Sequence, residues 1–331
     1  MLLNRINTLL ALVRRNERDV VNLYQLMTKY SRLLTGTSMI NFGFWTHETN
    51  TIQQAQQALC AFTGNFAELD SAKRIIDVGS GFSGPAEYWN SEYKLLDNLI
   101  CVDINLHALK TSCLTNTRYS HDQKHVMESS LDNNVTITKH NSNHCDSVIS
   151  FVNATATSLP FANSFADRII ALESAQHFKS FMHFINESHR VLEKGGIIVI
   201  AIPVVINTRA NGMHIKHTLF DSLRNVRVLG ILSFTWASEH YELNRIKSII
   251  SNHFTIKETL CIGKSVYGPL TDFYVQDREK FRRMILEKQS SFIKKLALDI
   301  MERTVYRSAL KMKEVSQSGD IDYVLIKAIN E

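Results

Sequence analysis

The chain is poor in the residues that mark unusual architectures. With only 4 Pro and 13 Gly in 331 residues it is neither collagen-like nor low-complexity, and its 44% of hydrophobic residues exclude a wholly disordered chain. Cysteine is also sparse. Cys60, Cys101, Cys113, Cys145 and Cys261 are odd in number, scattered and without a CxxC pair, which argues against a disulfide framework and for a reducing, cytoplasmic setting. No uninterrupted apolar run approaches the roughly 18 residues that a membrane helix needs. The N-terminal run 1–21 is broken by Arg5 and lacks a small-residue cleavage site, so it reads as an amphipathic helix and not as a signal peptide. A formal charge of +5, with no basic stripe interleaved with aromatics, is too weak to suggest a nucleic-acid partner. What is left is a soluble or at most peripheral protein, long enough for one large or two small domains with their own core.

From residue 73 onward, short β-branched runs alternate with helix-like stretches, the pattern of a parallel sheet covered by helices. The runs are 74–78, 99–103, 148–152, 168–172 and 197–205, and two more, 254–262 and 321–328, complete a predicted seven-stranded sheet. Helices are predicted at 84–90, 108–117, 178–192 and 242–252. Three segments depart from this alternation. Residues 1–70 precede the first strand and read as a helical N-terminal cap, with a helix over 51–66 opened by Thr51 as N-cap, ahead of the main domain 71–331. Residues 119–146 are an Asn-, Ser- and His-rich insertion, read as a solvated loop. Residues 277–316 are a helical insertion before the last strand, with Phe281, Met284, Ile285, Phe292, Leu296, Ile300 and Met301 at near-helical spacing.

The strongest local signal is Ile75-Ile76-Asp77-Val78-Gly79-Ser80-Gly81-Phe82-Ser83-Gly84, an apolar strand running into GxGxxG and a helix. That spacing alone also serves dinucleotides. Asp77 decides between them. A carboxylate beside the turn would repel a pyrophosphate, which must sit on backbone N–H groups there, whereas S-adenosylmethionine carries no phosphate and has a cationic amino group and a sulfonium. Asp103, 19 positions after Gly84 at the end of the next strand, can take both ribose hydroxyls. Capping the following helix is the alternative use of the same carboxylate.

Further pieces follow in order: Asn41-Phe42-Gly43-Phe44-Trp45 with Thr51, Ile52, Ala55 and Leu59; Leu159-Pro160-Phe161; Asp167; Glu173-Ser174-Ala175-Gln176-His177-Phe178; and Arg190-Val191-Leu192 with Lys194-Gly195-Gly196. Together with the glycine turn, they resemble the class I S-adenosylmethionine-dependent methyltransferases. Within that family they are similar to the small-molecule group that includes erythromycin and rebeccamycin O-methyltransferases and sterol, tocopherol and geranyl diphosphate C-methyltransferases. The resemblance covers about residues 40–205 well. It implies a Rossmann-like α/β fold with the last strand antiparallel, and S-adenosyl-L-methionine as cofactor on Asp77, Gly79, Ser80, Gly81 and Asp103. It places Thr155 and Ala156 near adenine and Trp45 over the donor. The group usually has Asp where this chain has Thr155, and a neutral acceptor holds an amino group less strongly than a charged one.

Methyl transfer from a sulfonium is an in-line displacement, so the protein aligns the reactants and removes a proton where the acceptor has one. His177, five residues past the fourth strand, has the chemistry of a base, and the resembling O-methyltransferases use a His in this segment. Lining the pocket through a carbonyl hydrogen bond is its plainer role. Glu173, at the strand end, is the second catalytic candidate: it can orient His177, meet the acceptor or sustain a carbocation, and a structural role at the sheet edge is equally open. Aromatics upstream, Tyr24, Tyr30 and Phe44, share Trp45's covering role or pack in the core. His121, His125, His140, His144 and Cys145 lie in the polar insertion, where no convincing helix aligns them, so no metal site is expected. Between Arg278 and Lys313 basic residues exceed acidic ones among apolar positions. A basic amphipathic helix can rest on an anionic membrane, although a solvated lid helix accounts for the same pattern. The expected function is O-methylation of a small, largely apolar metabolite of natural-product type, with C- or N-methylation and a non-catalytic binding protein as alternatives. The acceptor's identity and the oligomeric state are not written in any motif.

Overall fold

The computed structural model describes residues 39–93, 98–116, 127–131, 134–138, 148–178, 180–206, 241–287 and 292–331. Residues 1–38, which hold most of the expected N-terminal cap with Tyr24 and Tyr30, lie outside them, as do His121, His125, His140, His144 and Cys145. Nine strands form one sheet: β1 (Arg74–Val78), β2 (Asn98–Asp103), β3 (Met127–Leu131), β4 (Asn134–Thr138), β5 (Val148–Asn153), β6 (Ala166–Leu172), β7 (Leu192–Val205), β8 (Thr255–Cys261) and β9 (Ile321–Ile329). The described helices are α1 (Ile52–Phe66), α2 (Gly84–Glu92), α3 (Leu106–Asn116), α4 (Phe181–Val191), α5 (Leu243–Ile250), α6 (Tyr267–Glu287) and α7 (Phe292–Gln317).

The spatial order is β3-β4-β5-β2-β1-β6-β7-β9-β8. The seven predicted strands are all present. β5, β2, β1, β6 and β7 pair in parallel, and β9 runs antiparallel between β7 and β8. The insertion 119–146 is a correction to the solvated-loop expectation: it carries the antiparallel hairpin β3–β4, which extends the sheet beyond β5. Val135-Thr136-Ile137-Thr138 is a β-branched run that fits a strand, and its polar surroundings hid it.

Strand residues alternate between two apolar layers, as the period of two requires. Ile75, Leu99, Cys101, Ile170 and Val199 face Leu59 of α1, Trp89 of α2, Leu109 of α3 and Met312 of α7, whereas Ile76, Ile100, Val102, Ile169 and Ile200 face Phe184 of α4 and Ile246 of α5. The chain moves from β1 to β2 and outward to β5, then returns to the other side of β1 as β6. That reversal opens a crevice at the C-terminal ends of β1 and β6, where ligands settle in doubly wound sheets.

Two polar ties fix the crevice's frame. Asp167 accepts the backbone N–H groups of Lys73 (2.9 Å) and Arg74 (2.7 Å) at the start of β1, and buried Arg168 donates to the Ala67 carbonyl at 2.7 Å. Arg190 donates to the carbonyls of Phe161 (2.6 Å) and Leu159 (2.8 Å), while Glu187 takes the Leu159 N–H at 2.8 Å, which locks the Leu-Pro-Phe turn onto α4.

Candidate functional site

At the crevice, a cavity is lined by the ends of four strands. Gly79 and Gly81 come from the β1 turn, Asp103 and Asn105 from β2, Thr155 and Ala156 from β5, and Glu173 and His177 from β6. Gly79 has φ +76°, and a Cβ there would meet Ser174 Cβ at 2.4 Å, so only glycine allows the β1 and β6 ends to approach. Ser174 Oγ closes that approach by donating to the Val78 carbonyl at 2.6 Å.

Gly81 N–H donates to Asp103 Oδ2 and Asn105 N–H to Asp103 Oδ1, both at 2.7 Å. The cap of α3 is Asn105, whose Oδ1 accepts from Ala108 N–H at 3.2 Å, so Asp103 is released from that role and stays at the cavity wall. Asp103 is pushed above the ordinary carboxylate range by burial, with its two N–H partners opposing the shift.

Asp77 lies beneath the turn, 2% exposed, and its Oδ2 has no hydrogen-bond partner. Burial, and then the neighbouring Asp103, push its carboxyl up to about 8. Ser80 Oγ is likewise buried and unpaired. An orphaned carboxyl at a glycine turn is a site waiting for a cation, and a pyrophosphate would meet two acids there. This donor set fits the amino end and ribose of an adenosylated amino acid.

Glu173 has a left-handed backbone, φ +52°, unusual for a non-glycine residue. Its Oε1 accepts the Phe42 N–H at 2.9 Å and the Tyr323 hydroxyl at 3.0 Å, which tie β6 to the 41–45 segment and to β9. Burial pushes it up to about 8 against those two bonds. No hydrogen bond joins it to His177. Gln176 mediates instead: its Nε2 donates to the Glu173 carbonyl at 2.7 Å and sits 3.3 Å from His177 Nε2. The role of His177 Nε2 as donor or acceptor in that contact follows the ring's tautomer.

Thr155 Oγ1 is 3.1 Å from Thr157 Oγ1 and lines the cavity beside Ala156. Trp45 is placed elsewhere. Its ring packs on Phe273 of α6 at 5.2 Å between centroids, its Nε1 donates to the Phe42 carbonyl at 3.1 Å, and it is not among the cavity's lining residues. Phe44 stacks on Phe62 at 4.9 Å. Cavity-lining residues to which the sequence reading gave no site role are Phe82, Val102, Ile104, Asn105, Ala154, Ser174 and Phe178. Phe82 and Asn105 stand next to legible motif positions, whereas Tyr323 reaches Glu173 from 150 residues away and left no local signal. Among the described residues no group of three or more His, Cys, Asp or Glu could hold a metal ion.

A methyltransferase-domain family model matches residues 76–200, from β1 through β7. The erythromycin 3''-O-methyltransferase of Saccharopolyspora erythraea is 23% identical over 189 residues, 57% of this chain and 54% of that protein, so the chain matches about half the length of this curated relative. Among solved structures, a cyclopropane synthase from Mycobacterium tuberculosis superposes with a TM-score of 0.67 at 14% identity, covering 93% of this chain and 95% of that one. The geranyl diphosphate C-methyltransferase from Streptomyces coelicolor, solved with S-adenosyl-L-homocysteine, gives 0.57 at 12% identity, covering 92% and 91%. These likenesses extend the fold over nearly the whole chain.

Proposed function

We propose that the chain is a class I S-adenosylmethionine-dependent methyltransferase of small-molecule type, a reading supported by the methyltransferase-domain match over 76–200 and by the erythromycin O-methyltransferase relative, and that it methylates a hydroxyl of a small, largely apolar metabolite. The observation that carries this reading is the single cavity in which Gly79, Gly81 and Asp103 share walls with Glu173 and His177. Donor-type groups and proton-handling groups thus meet in one space.

Asp77 and the Gly79 to Gly81 turn would hold the amino-acid end of the cofactor, Asp103 the ribose, and Thr155 and Ala156 would flank adenine. Bound there, the cofactor supplies a methyl carbon on a sulfonium whose sulfur leaves with the C–S electron pair. His177 takes the acceptor's hydroxyl proton on Nε2 as the new O–C bond forms. The long 3.3 Å contact with Gln176 is given up to the acceptor hydroxyl. Phe178 and Ile104 supply apolar wall that favours an apolar acceptor and excludes water.

Glu173 supports a second reading. Its carboxyl lines the cavity with one oxygen held by two donors, a fixed anion suited to a cationic carbon during C-methylation. Titration of the protein with S-adenosylhomocysteine and NAD tests the donor site, and a labelled-methyl screen of hydroxylated apolar compounds tests the acceptor. For an O-methyltransferase, His177→Ala costs about a hundredfold or more in turnover with S-adenosylhomocysteine affinity retained. A His177→Ala enzyme that keeps its turnover while Glu173→Gln loses it transfers to carbon. Binding of NAD in preference to S-adenosylhomocysteine overturns both readings.

A further inference from the structure

The hairpin of α6 and α7 is rich in charge, and residues 267–317 hold eleven Lys or Arg against seven Asp or Glu. The helices are clamped inside by Arg278, whose Nε and Nη2 reach Glu302 at 2.7 and 3.0 Å, and by Tyr274, which donates to the same carboxylate at 3.1 Å. Leu298, Met312 and Val315 of α7 are buried. The opposite face of α7 is not closed. Leu296, Ile300, Arg303, Arg307 and Leu310 follow one another at spacings of four, three, four and three, which makes one continuous stripe along the helix. Leu296 is 52% exposed, Ile300 58% and Leu310 41%.

The two arginines within the stripe are exposed. Arg303 pairs with Asp299 at 2.9 Å, and Arg307 has no acidic partner among the described residues. Beside them a depression between the helices is lined by Arg278, Glu279, Arg282, Tyr306 and the same two arginines, four cationic side chains against one anionic. A solvated helix face has no reason to place three large aliphatic side chains in line with Arg307, whose guanidinium has no acidic partner among the described residues.

We propose that this face of α7 docks the protein on anionic phospholipid bilayers. Leu296, Ile300 and Leu310 enter the acyl boundary while Arg303 and Arg307 meet headgroup phosphates, the arrangement of an interfacial amphipathic helix. Charge selects the occupant. A two-fold contact with a second copy of this chain would bring the Arg303 and Arg307 stripes of both copies together and repel. A nucleic acid would leave the aliphatic residues without a partner. No described helix is long and apolar enough to cross a membrane, and the attachment proposed for α7 is a peripheral one. It also gives a route to an apolar acceptor dissolved in the bilayer, and to that extent rests on the small, apolar substrate class proposed above.

Flotation of the full chain with vesicles of phosphatidylcholine alone, and of phosphatidylcholine with phosphatidylglycerol, tests it. Binding is expected only to the phosphatidylglycerol vesicles and should weaken as salt rises. Leu296→Asp with Ile300→Asp, and separately Arg303→Glu with Arg307→Glu, should each reduce partitioning about tenfold or more while S-adenosylhomocysteine binding is unchanged. Should the aspartate variant misfold, Ile300→Cys in a background with Cys145→Ser and Cys261→Ser, labelled with a polarity-sensitive dye, reports the same contact by a blue shift on anionic vesicles. No flotation, equal binding to both vesicles, or a dimer that the aspartate variant splits in light scattering would each overturn the proposal. Donor binding is read at the cavity and vesicle binding at α7, so failure of one is distinguishable from failure of the other.

Discussion

Burial holds the Asp77 carboxyl up at about 8 where an unfolded chain would ionise it near the ordinary value of 3.8. Below that ordinary value both states are protonated and the full contribution to stability is present. As pH rises toward 8, the unfolded chain releases its proton while the folded chain keeps it, so stability falls by up to about 1.4 kcal/mol per pH unit from this residue. Glu173, also raised to about 8 from 4.5, acts in the same direction. Calorimetric melting of the free protein should therefore show a midpoint that drops between pH 5 and 8, and Asp77→Asn should flatten that drop and melt above the wild type at pH 8. The same variant should bind S-adenosylhomocysteine at least about tenfold more weakly if, as proposed, the Asp77 carboxylate holds the ligand's ammonium. Conversely, wild-type affinity should rise from pH 6 to 8 as the carboxyl gives up its proton. A variant that is less stable than wild type at pH 8, or equally tight for the ligand, would remove Asp77 from the donor site. Asp77, Gly79 and Gly81 were legible because they share one strand-turn-helix unit, and Asp103, Glu173 and His177 because each stands at or just past the end of a strand that announces itself by an apolar run. The hydrogen bonds that hold Glu173 were not legible, since Phe42 and Tyr323 come from 131 and 150 residues away.

The segment 41–45 is the element that joins cavity and scaffold. Gly43, at φ +81°, lets it lie on α1 so closely that a Cβ would fall 2.7 Å from Ala55 Cβ. Asn41 Oδ1 accepts from Gly43 N–H at 3.1 Å, Phe44 N–H donates to the Ala55 carbonyl at 2.8 Å, and Gln56 Nε2 donates to the Asn41 carbonyl at 3.0 Å. This packing aims the Phe42 N–H at Glu173. Gly43→Ala must strain the backbone and lift the segment, which should cost about 2 kcal/mol or more in stability and weaken S-adenosylhomocysteine binding as well. The new methyl would also meet backbone of α1, the Ala55 carbonyl carbon at 2.9 Å and the Gln56 nitrogen at 3.1 Å, so Ala55→Gly in the same background should not restore either loss in melting or ligand titration. Full recovery would mean that the Ala55 side chain alone, and not the backbone, demands glycine. Sequence identified Thr51 as the cap of α1, and the structure completes a capping box with Gln54, because cap chemistry is confined to four residues. The β3–β4 hairpin escaped because a polar edge strand departs from the apolar runs by which the other seven announce themselves. The helical insertion before the last strand was legible by its period, but not the side of α7 that stays open, which depends on where α6 packs.

At the scale of the whole molecule, the cavity is a consequence of chain order. β1 is central, its neighbours β2 and β6 are reached in opposite directions, and the loops leaving the C-terminal ends of β1, β2, β5 and β6 therefore diverge and leave a crevice between them. The alternation of runs in the sequence contained that topology, because parallel strands joined by helices have few other ways to pack. It did not contain the acceptor, whose walls come from segments without a repeating pattern. A ligand in the crevice touches four strand ends on the parallel half of the sheet and none of β3, β4 or β8. It should thus couple unevenly to the fold. At a hundredfold excess over its dissociation constant, S-adenosylhomocysteine adds about 2.7 kcal/mol against global unfolding, yet the local gain should concentrate where the wall residues are. Hydrogen exchange with and without it should show added protection at 79–83, 103–106, 154–157 and 173–178, with a smaller gain at 41–45 through the Phe42 to Glu173 bond. The β3–β4 hairpin and α7 should exchange at unchanged rates, since neither shares a wall with the cavity. Protection spread evenly over α6 and α7 would show instead that the hairpin closes on the cofactor, and its outer face would then be a lid surface whose exposure depends on the bound state.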